Sequence, residues 1–223
     1  HKAGDEGRGN APVGKAQRRK DRRDKPANVC QKTFGVVRDG VQPQVKGLQK
    51  PDYNAGRENN GESPVEKILG FDGPIYFTLD THEQDYSQTQ EGKRLPVPHC
   101  IEGTEGHKLY GETALMARDM DEVYYKPTFG SSELFARLSK AQAIAASLGR
   151  EPFESIELVG LVSNMCVLSN AVIARSACPN VQIIVDAACT AAPDPKLNEE
   201  ALDVLEALQV SVINRQKLAS LEG

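Results

Sequence analysis

The chain has 223 residues, 39% of them hydrophobic and 26% charged, with a formal net charge of −4. That is the balance of a globular protein long enough for one α/β domain with a real core. No apolar run approaches the ~20 residues a membrane-spanning helix needs, and His1-Lys-Ala-Gly-Asp-Glu6 offers no apolar stretch of the secretory-signal kind.

Five cysteines is an odd count in a chain too long for a disulfide scaffold, so free thiols in a reducing, cytoplasmic setting are expected. Charge is uneven: residues 1–70 hold 15 Lys/Arg against 9 Asp/Glu, and the rest hold 12 against 22. A basic arm can serve nucleic-acid contact. This one lacks interleaved aromatics and reads as a solvated tail, so neither nucleic acid nor membrane is expected as a partner.

Residues 1–32 are rich in Gly, Lys, Arg, Asp and Asn with no apolar period, which predicts an irregular or poorly ordered segment before a single domain at 33–223. Thr33–Val37 is a weak strand candidate, and Lys46–Glu62 is again rich in Gly and Asn. From Pro64 the character changes. Val65–Leu69 fits the end of a helix, and Pro74-Ile-Tyr-Phe-Thr-Leu-Asp80 is an apolar run stopping at an acid, as in a buried parallel strand. Val123–Lys126 is a short strand. Ser131–Leu148 carries apolar residues at Leu134, Phe135, Leu138, Ala141, Ile144, Ala145 and Leu148, an amphipathic helix. Strand Ile156–Val162, helix Cys166–Ala177, strand Val181–Asp186, helix Asn198–Leu208 and strand Val210–Ile213 follow. The alternation predicts a three-layer α/β/α fold around a central, mostly parallel sheet, doubly wound with right-handed crossovers. Functional groups should then gather at the strands' carboxyl ends.

Cys166 sits where a buried strand turns into a helix. A helix start favours a thiolate through its dipole and free N–H groups, lowering the thiol pKa from about 8.5 towards neutrality, and the same N–H groups can hold an oxyanion. Cys178 and Cys189 lack that context and read as small buried hydrophobes. Asp80-Thr-His82 at a strand end, with His99 on the Pro96-Val-Pro-His-Cys100 loop, offers one carboxylate and two imidazoles to one ion; Zn, Fe and Mn all suit that set. Read alone, each His is a surface residue; beside one strand-end Asp they point to a metal. His1 and His107 lack such neighbours. Lys126, ending an apolar strand before Pro-Thr-Phe-Gly130, is a cation suited to lowering a nearby thiol pKa.

Four segments in this order resemble the isochorismatase-like cysteine hydrolases, and among them the nicotinamidase (pyrazinamidase) branch: Leu79–His82, Pro98–Gly106, Lys126–Ser131 and Gly160–Val167. The likeness spans roughly residues 64 to 214. It implies a cytoplasmic homo-oligomer that converts nicotinamide to nicotinate and ammonia through a thioester, in NAD salvage. It assigns Cys166 as nucleophile, Lys126 as its cation, Asp39 as general base, and the N–H groups of Val162 and Cys166 as the oxyanion hole, with a cis peptide before Val162. It places Phe129 and Leu161 against the substrate, and one divalent ion on Asp80, His82 and His99 facing the pyridine nitrogen. The family's Asp-x-Gln becomes Asp39-Gly-Val-Gln42 here, so Gln42 falls one residue late. Hydrolysis of another small amide or carbamoyl compound, and a catalytically degenerate binding relative, are the competing readings.

Overall fold

The computed structural model describes residues 32–38 (backbone only), 64–71, 73–109 and 122–215. The irregular segment expected at 1–32 lies outside them, apart from Lys32, as does Asp39. In chain order the elements are β1 (Lys32–Arg38), α1 (Pro64–Leu69), β2 (Ile75–Asp80), α2 (Gln90–Arg94), β3 (Glu122–Lys126), α3 (Ser132–Ser147), β4 (Ser155–Leu161), α4 (Leu168–Ala177), β5 (Gln182–Ala191), α5 (Pro195–Ala207) and β6 (Ser211–Ile213). One six-stranded sheet has the order β3-β2-β1-β4-β5-β6. Strand pairs β2–β3, β4–β5 and β5–β6 are parallel.

β1 runs antiparallel to both its neighbours: Lys32 pairs with Leu79, and Arg38 with Ser155. The carboxyl end of β1 therefore abuts the amino end of β4, across the sheet from Leu161.

β2 is buried at every position, because alternate residues feed two different cores. Tyr76, Ile156, Leu158, Ile183 and Val185 face α3, α4 and α5 through Leu134, Leu138, Ala171, Ala174, Leu202 and Leu205. Ile75, Phe77, Leu79 and Val159 face Ile68 of α1. The three-layer, mostly parallel architecture expected from the alternation is the one observed.

Local chemistry explains the helix starts. The Ser131 hydroxyl caps α3 by accepting from the Leu134 N–H. Asp194 caps α5, whose first position is Pro195, where a missing N–H costs nothing. On α3, Leu134, Leu138 and Ala145 are buried, while Phe135, Ile144 and Leu148 of the expected apolar stripe are exposed. β5 continues to Ala191, beyond the strand expected from sequence, because its register shifts against β4: Leu158 pairs with Val185, but Gly160 pairs with Thr190. Gly160 takes up the irregularity at φ 116, open only to glycine without strain.

Two expectations are corrected. Cys166, Cys178 and Cys189 are free thiols, but Cys100 is disulfide-bonded. The α4 region begins earlier than Cys166, with a π turn over Ser163–Val167. Among the described residues, no helix is long and apolar enough to cross a membrane.

On the α1 face, Lys67 forms ion pairs with both Glu157 of β4 and Asp186 of β5, and Asp186 also accepts from Asn214. Burial alone would push Lys67 down; the Asp186 and Glu157 carboxylates hold it above its ordinary range. Removing one partner of a buried ion group leaves uncompensated charge. Lys67→Met is therefore expected to cost about 3–5 kcal/mol, read from the midpoint of denaturant unfolding.

Candidate active site

β2 and β3 end in register, with Asp80 opposite Lys126, so both side chains emerge at one point on the sheet edge. Cys166 reaches the same point from the turn after β4. Lys126 Nζ lies 3.3 Å from Cys166 Sγ, 3.2 Å from Asp80 Oδ1 and 3.1 Å from the Thr128 carbonyl oxygen. Lys126 and Asp80 are each about 1% exposed, and Cys166 is fully buried. A lysine so enclosed is held by its three partners.

The other Asp80 oxygen turns the opposite way. Oδ2 lies 3.4 Å from His82 Nε2 and 3.3 Å from His99 Nε2. A fourth group, Glu91 of α2, places Oε1 3.7 Å from each of those nitrogens. Ligand atoms of Asp80, His82, Glu91 and His99 all lie within 4.8 Å of one another. Among the described residues, nothing hydrogen-bonds to the buried His82 Nε2, His99 Nε2 or either Glu91 carboxylate oxygen. Such groups are costly unless something else satisfies them. Two imidazole nitrogens and two carboxylates converging on one point fit a divalent ion.

The supports of this group are local. His99 Nδ1 donates to the Val97 carbonyl at 2.8 Å, which leaves Nε2 as the ligating atom. The His99 loop is pinned to the chain after β2, with His82 N–H donating to Cys100 O and Glu102 N–H donating to His82 O. The Tyr86 ring wedges against both imidazoles, at 4.6 Å from His82 and 5.0 Å from His99. Its hydroxyl donates to Leu95 O at 2.9 Å. Thr89 caps α2. Gly92 lets that helix lie on the Tyr86 turn, since a Cβ there would sit 1.9 Å from the Tyr86 carbonyl oxygen.

Burial pushes the Asp80 carboxyl up, but His99, Lys126 and His82 together hold it below the usual carboxylate range. The Asp80 carboxylate raises His99 above its ordinary value, against the effect of burial. Burial drives the Cys166 thiol upward; Lys126 and the Val162 N–H pull it down, and Asp80 adds to the rise. The near-neutral thiol expected from a helix start is thereby corrected: full desolvation outweighs the turn and its cation.

The structure brings Cys166, Lys126, Asp80, His82 and His99 together. The Leu161–Val162 peptide is cis, and Val162 N–H bonds to the Cys166 sulfur. Phe129 and Leu161 are partly buried and flank Lys126 and Cys166 in the chain. Asp39 lies outside the described residues. His107, read from sequence as a surface residue, lies with Nε2 2.9 Å from Thr81 Oγ1. Glu91 was not singled out by the sequence. Its neighbourhood, Thr89-Gln-Glu-Gly-Lys-Arg94, reads as an ordinary polar helix; the one usable signal is a capped turn between His82 and His99.

Fold and site together place a thiol, an amine and a cluster of donors able to hold a metal ion at the carboxyl edge of a three-layer α/β sheet. A profile of the isochorismatase domain matches residues 62–217, and the chain belongs to that family. Solved structures agree in fold. The chain is similar to a nicotinamidase/pyrazinamidase from Bacillus subtilis at 25% identity, over 63% of this chain and 74% of that one, with a TM-score of 0.51. It is also similar to a pyrazinamidase/nicotinamidase from Streptococcus mutans at 23% identity, over 67% and 80%, with a TM-score of 0.55. A pyrazinamidase of Pyrococcus horikoshii in complex with zinc matches at 15% identity over 68% and 80%, with a TM-score of 0.50. No curated protein matches the chain.

Glu91→Gln removes one charged donor from the group and is expected to weaken Zn²⁺ or Mn²⁺ binding about 10–100-fold, a loss typical of a perturbed metal site, measured by competition against a chromophoric chelator. Because the proton on His99 must leave before an ion binds, affinity in the wild-type protein should rise with pH through the raised His99 titration and fall below it.

Proposed function

We propose that this protein is a metal-assisted cysteine amidohydrolase that converts nicotinamide to nicotinate and ammonia. The observation that carries the proposal is the single carboxylate of Asp80, one oxygen on the Lys126 amine beside Cys166 and the other facing the two histidines. Nucleophile and donor cluster are thus separated by one side chain, a spacing suited to a small ring bearing a carboxamide. The similarity to a nicotinamidase/pyrazinamidase at 25% identity supports the same substrate class.

Asp80, His82, Glu91 and His99 would hold the ion. When bound, it supplies a Lewis-acidic point for a ring nitrogen, which fixes the ring's orientation. The chain's own groups account for the rest. Cys166 Sγ attacks the carboxamide carbon, with Lys126 opposing the negative charge that develops. The N–H groups of Val162 and Cys166 are assigned to the oxyanion, where one such donor is worth about 10²–10³ in kcat. The C–N bond breaks, ammonia leaves with the proton given up by the thiol, and water releases the acid from the thioester. Full burial of the thiol keeps water from competing before the acyl group is formed.

Asp39 enters as the proton acceptor on family resemblance alone. A base at this position predicts a loss of about 10²–10⁴-fold in kcat for Asp39→Asn.

Incubation with nicotinamide should release ammonia, followed by a coupled dehydrogenase assay. Cys166→Ala and prior chelation should each abolish release, and re-addition of Zn²⁺, Fe²⁺ or Mn²⁺ should restore the chelated enzyme. No ammonia from a folded, metal-loaded protein would sink the proposal for this substrate.

A further inference from the structure

Asn170 lies in α4, one helical turn beyond Cys166, and is fully buried. Nothing in the chemistry above uses it. Its amide is nevertheless shared between the two segments that carry the reacting pair. Nδ2 donates to the Cys166 carbonyl oxygen at 2.9 Å and to the Phe129 carbonyl oxygen at 3.3 Å. Oδ1 accepts from the Ser131 N–H at 3.0 Å. One side chain thus fastens the nucleophile's own residue to both ends of the Phe129–Ser131 loop that follows Lys126.

The same loop also packs directly on α4. Gly130 is pressed so closely on α4 that a Cβ there would lie 2.7 Å from the Ile173 side chain. Lys126 is itself held by the Thr128 carbonyl in the same loop. A shift of this loop relative to the Cys166 turn therefore changes the 3.3 Å separation of sulfur and amine. Misplacement of about 1 Å can cost on the order of 10²-fold in rate.

We infer that Asn170 is a positioning residue that sets the distance between Cys166 and Lys126 by tying the nucleophile turn to the loop after β3. The inference rests on the assignment of those two residues as the reacting pair, but not on the identity of the amide.

The test uses the full, metal-loaded chain in three forms: wild type, Asn170→Leu and Asn170→Thr. Leucine keeps the branched skeleton, in a somewhat larger form, and loses every hydrogen bond. The threonine hydroxyl can donate to the Cys166 carbonyl four residues back and accept from Ser131. The first readout is the rate constant for alkylation of Cys166 by iodoacetamide at pH 7.5, mapped by peptide mass, with Cys166→Ser as blank. This requires no substrate and stays readable even if nicotinamide is not hydrolysed.

Asn170→Leu should lower the alkylation rate about tenfold or more, and Asn170→Thr should recover most of it. With a substrate in hand, Asn170→Leu should lower kcat at nearly constant KM, since binding is left to other groups. Should Asn170→Leu fail to fold, Asn170→Ala is read in the same way. A folded Leu or Ala variant with wild-type alkylation would overturn the inference, as would a Thr variant no better than Leu.

Discussion

A carboxylate with almost no contact with water lies at the centre of this molecule. Asp80 is about 1% exposed, and an isolated ion in such a place would simply take up a proton. It stays charged because its two oxygens are divided between Lys126 and the paired histidines. The dependence is mutual: Lys126, equally buried, keeps its place through Asp80, Cys166 and the Thr128 carbonyl. Loss of either charge strands the other, so thiol, amine and donor cluster form one electrostatic unit. The fold delivers it cheaply, since in-register ends of two parallel strands put Asp80 and Lys126 side by side.

The unit has its own scaffold. Cys100, at φ 47, turns the chain so that His99 and Ile101 can both approach the residues after β2, where His82 and Ile101 bridge. The Tyr86 ring fills the corner between the imidazoles. Behind Cys166, the Ser163 hydroxyl donates to Asn198 of α5 at 2.7 Å, so the π turn is held from that helix as well as from α4. These contacts set ligand directions before any ion arrives, which reduces the ordering that binding must impose.

Much of this was legible in the sequence, for identifiable reasons. Apolar runs ending in Asp80 and Lys126 mark strands buried on both faces, and strand-end positions bring their polar termini to one edge. His82 sits two residues from Asp80, so its nearness follows from chain geometry alone. His99 could be placed because prolines stiffen its loop. Glu91 was hidden because a glutamate in a five-residue polar helix has the signature of solvated surface, and only tertiary packing turns it inward. The pairing direction of β1 was hidden because the period of two is the same in parallel and antiparallel strands. The raised Cys166 thiol was hidden because desolvation is a property of the packed structure, while the helix start that argues the other way is visible in the chain. Cys100 shows the limit of counting: an odd number of cysteines does not say which of them are oxidised.

The close approach of Gly92 to Tyr86 has a consequence for how this gene can drift. Position 92 contributes no donor, no charge and no apolar surface, and it lies in a short polar helix where substitution is ordinarily tolerated. Any side chain there would lever α2 away from the Tyr86 turn and carry Glu91 out of reach of the histidines. Loss-of-function alleles of this protein therefore need not fall on chemically recognisable residues. A methyl group at a position with no chemistry of its own would displace a donor that sits a residue away from it.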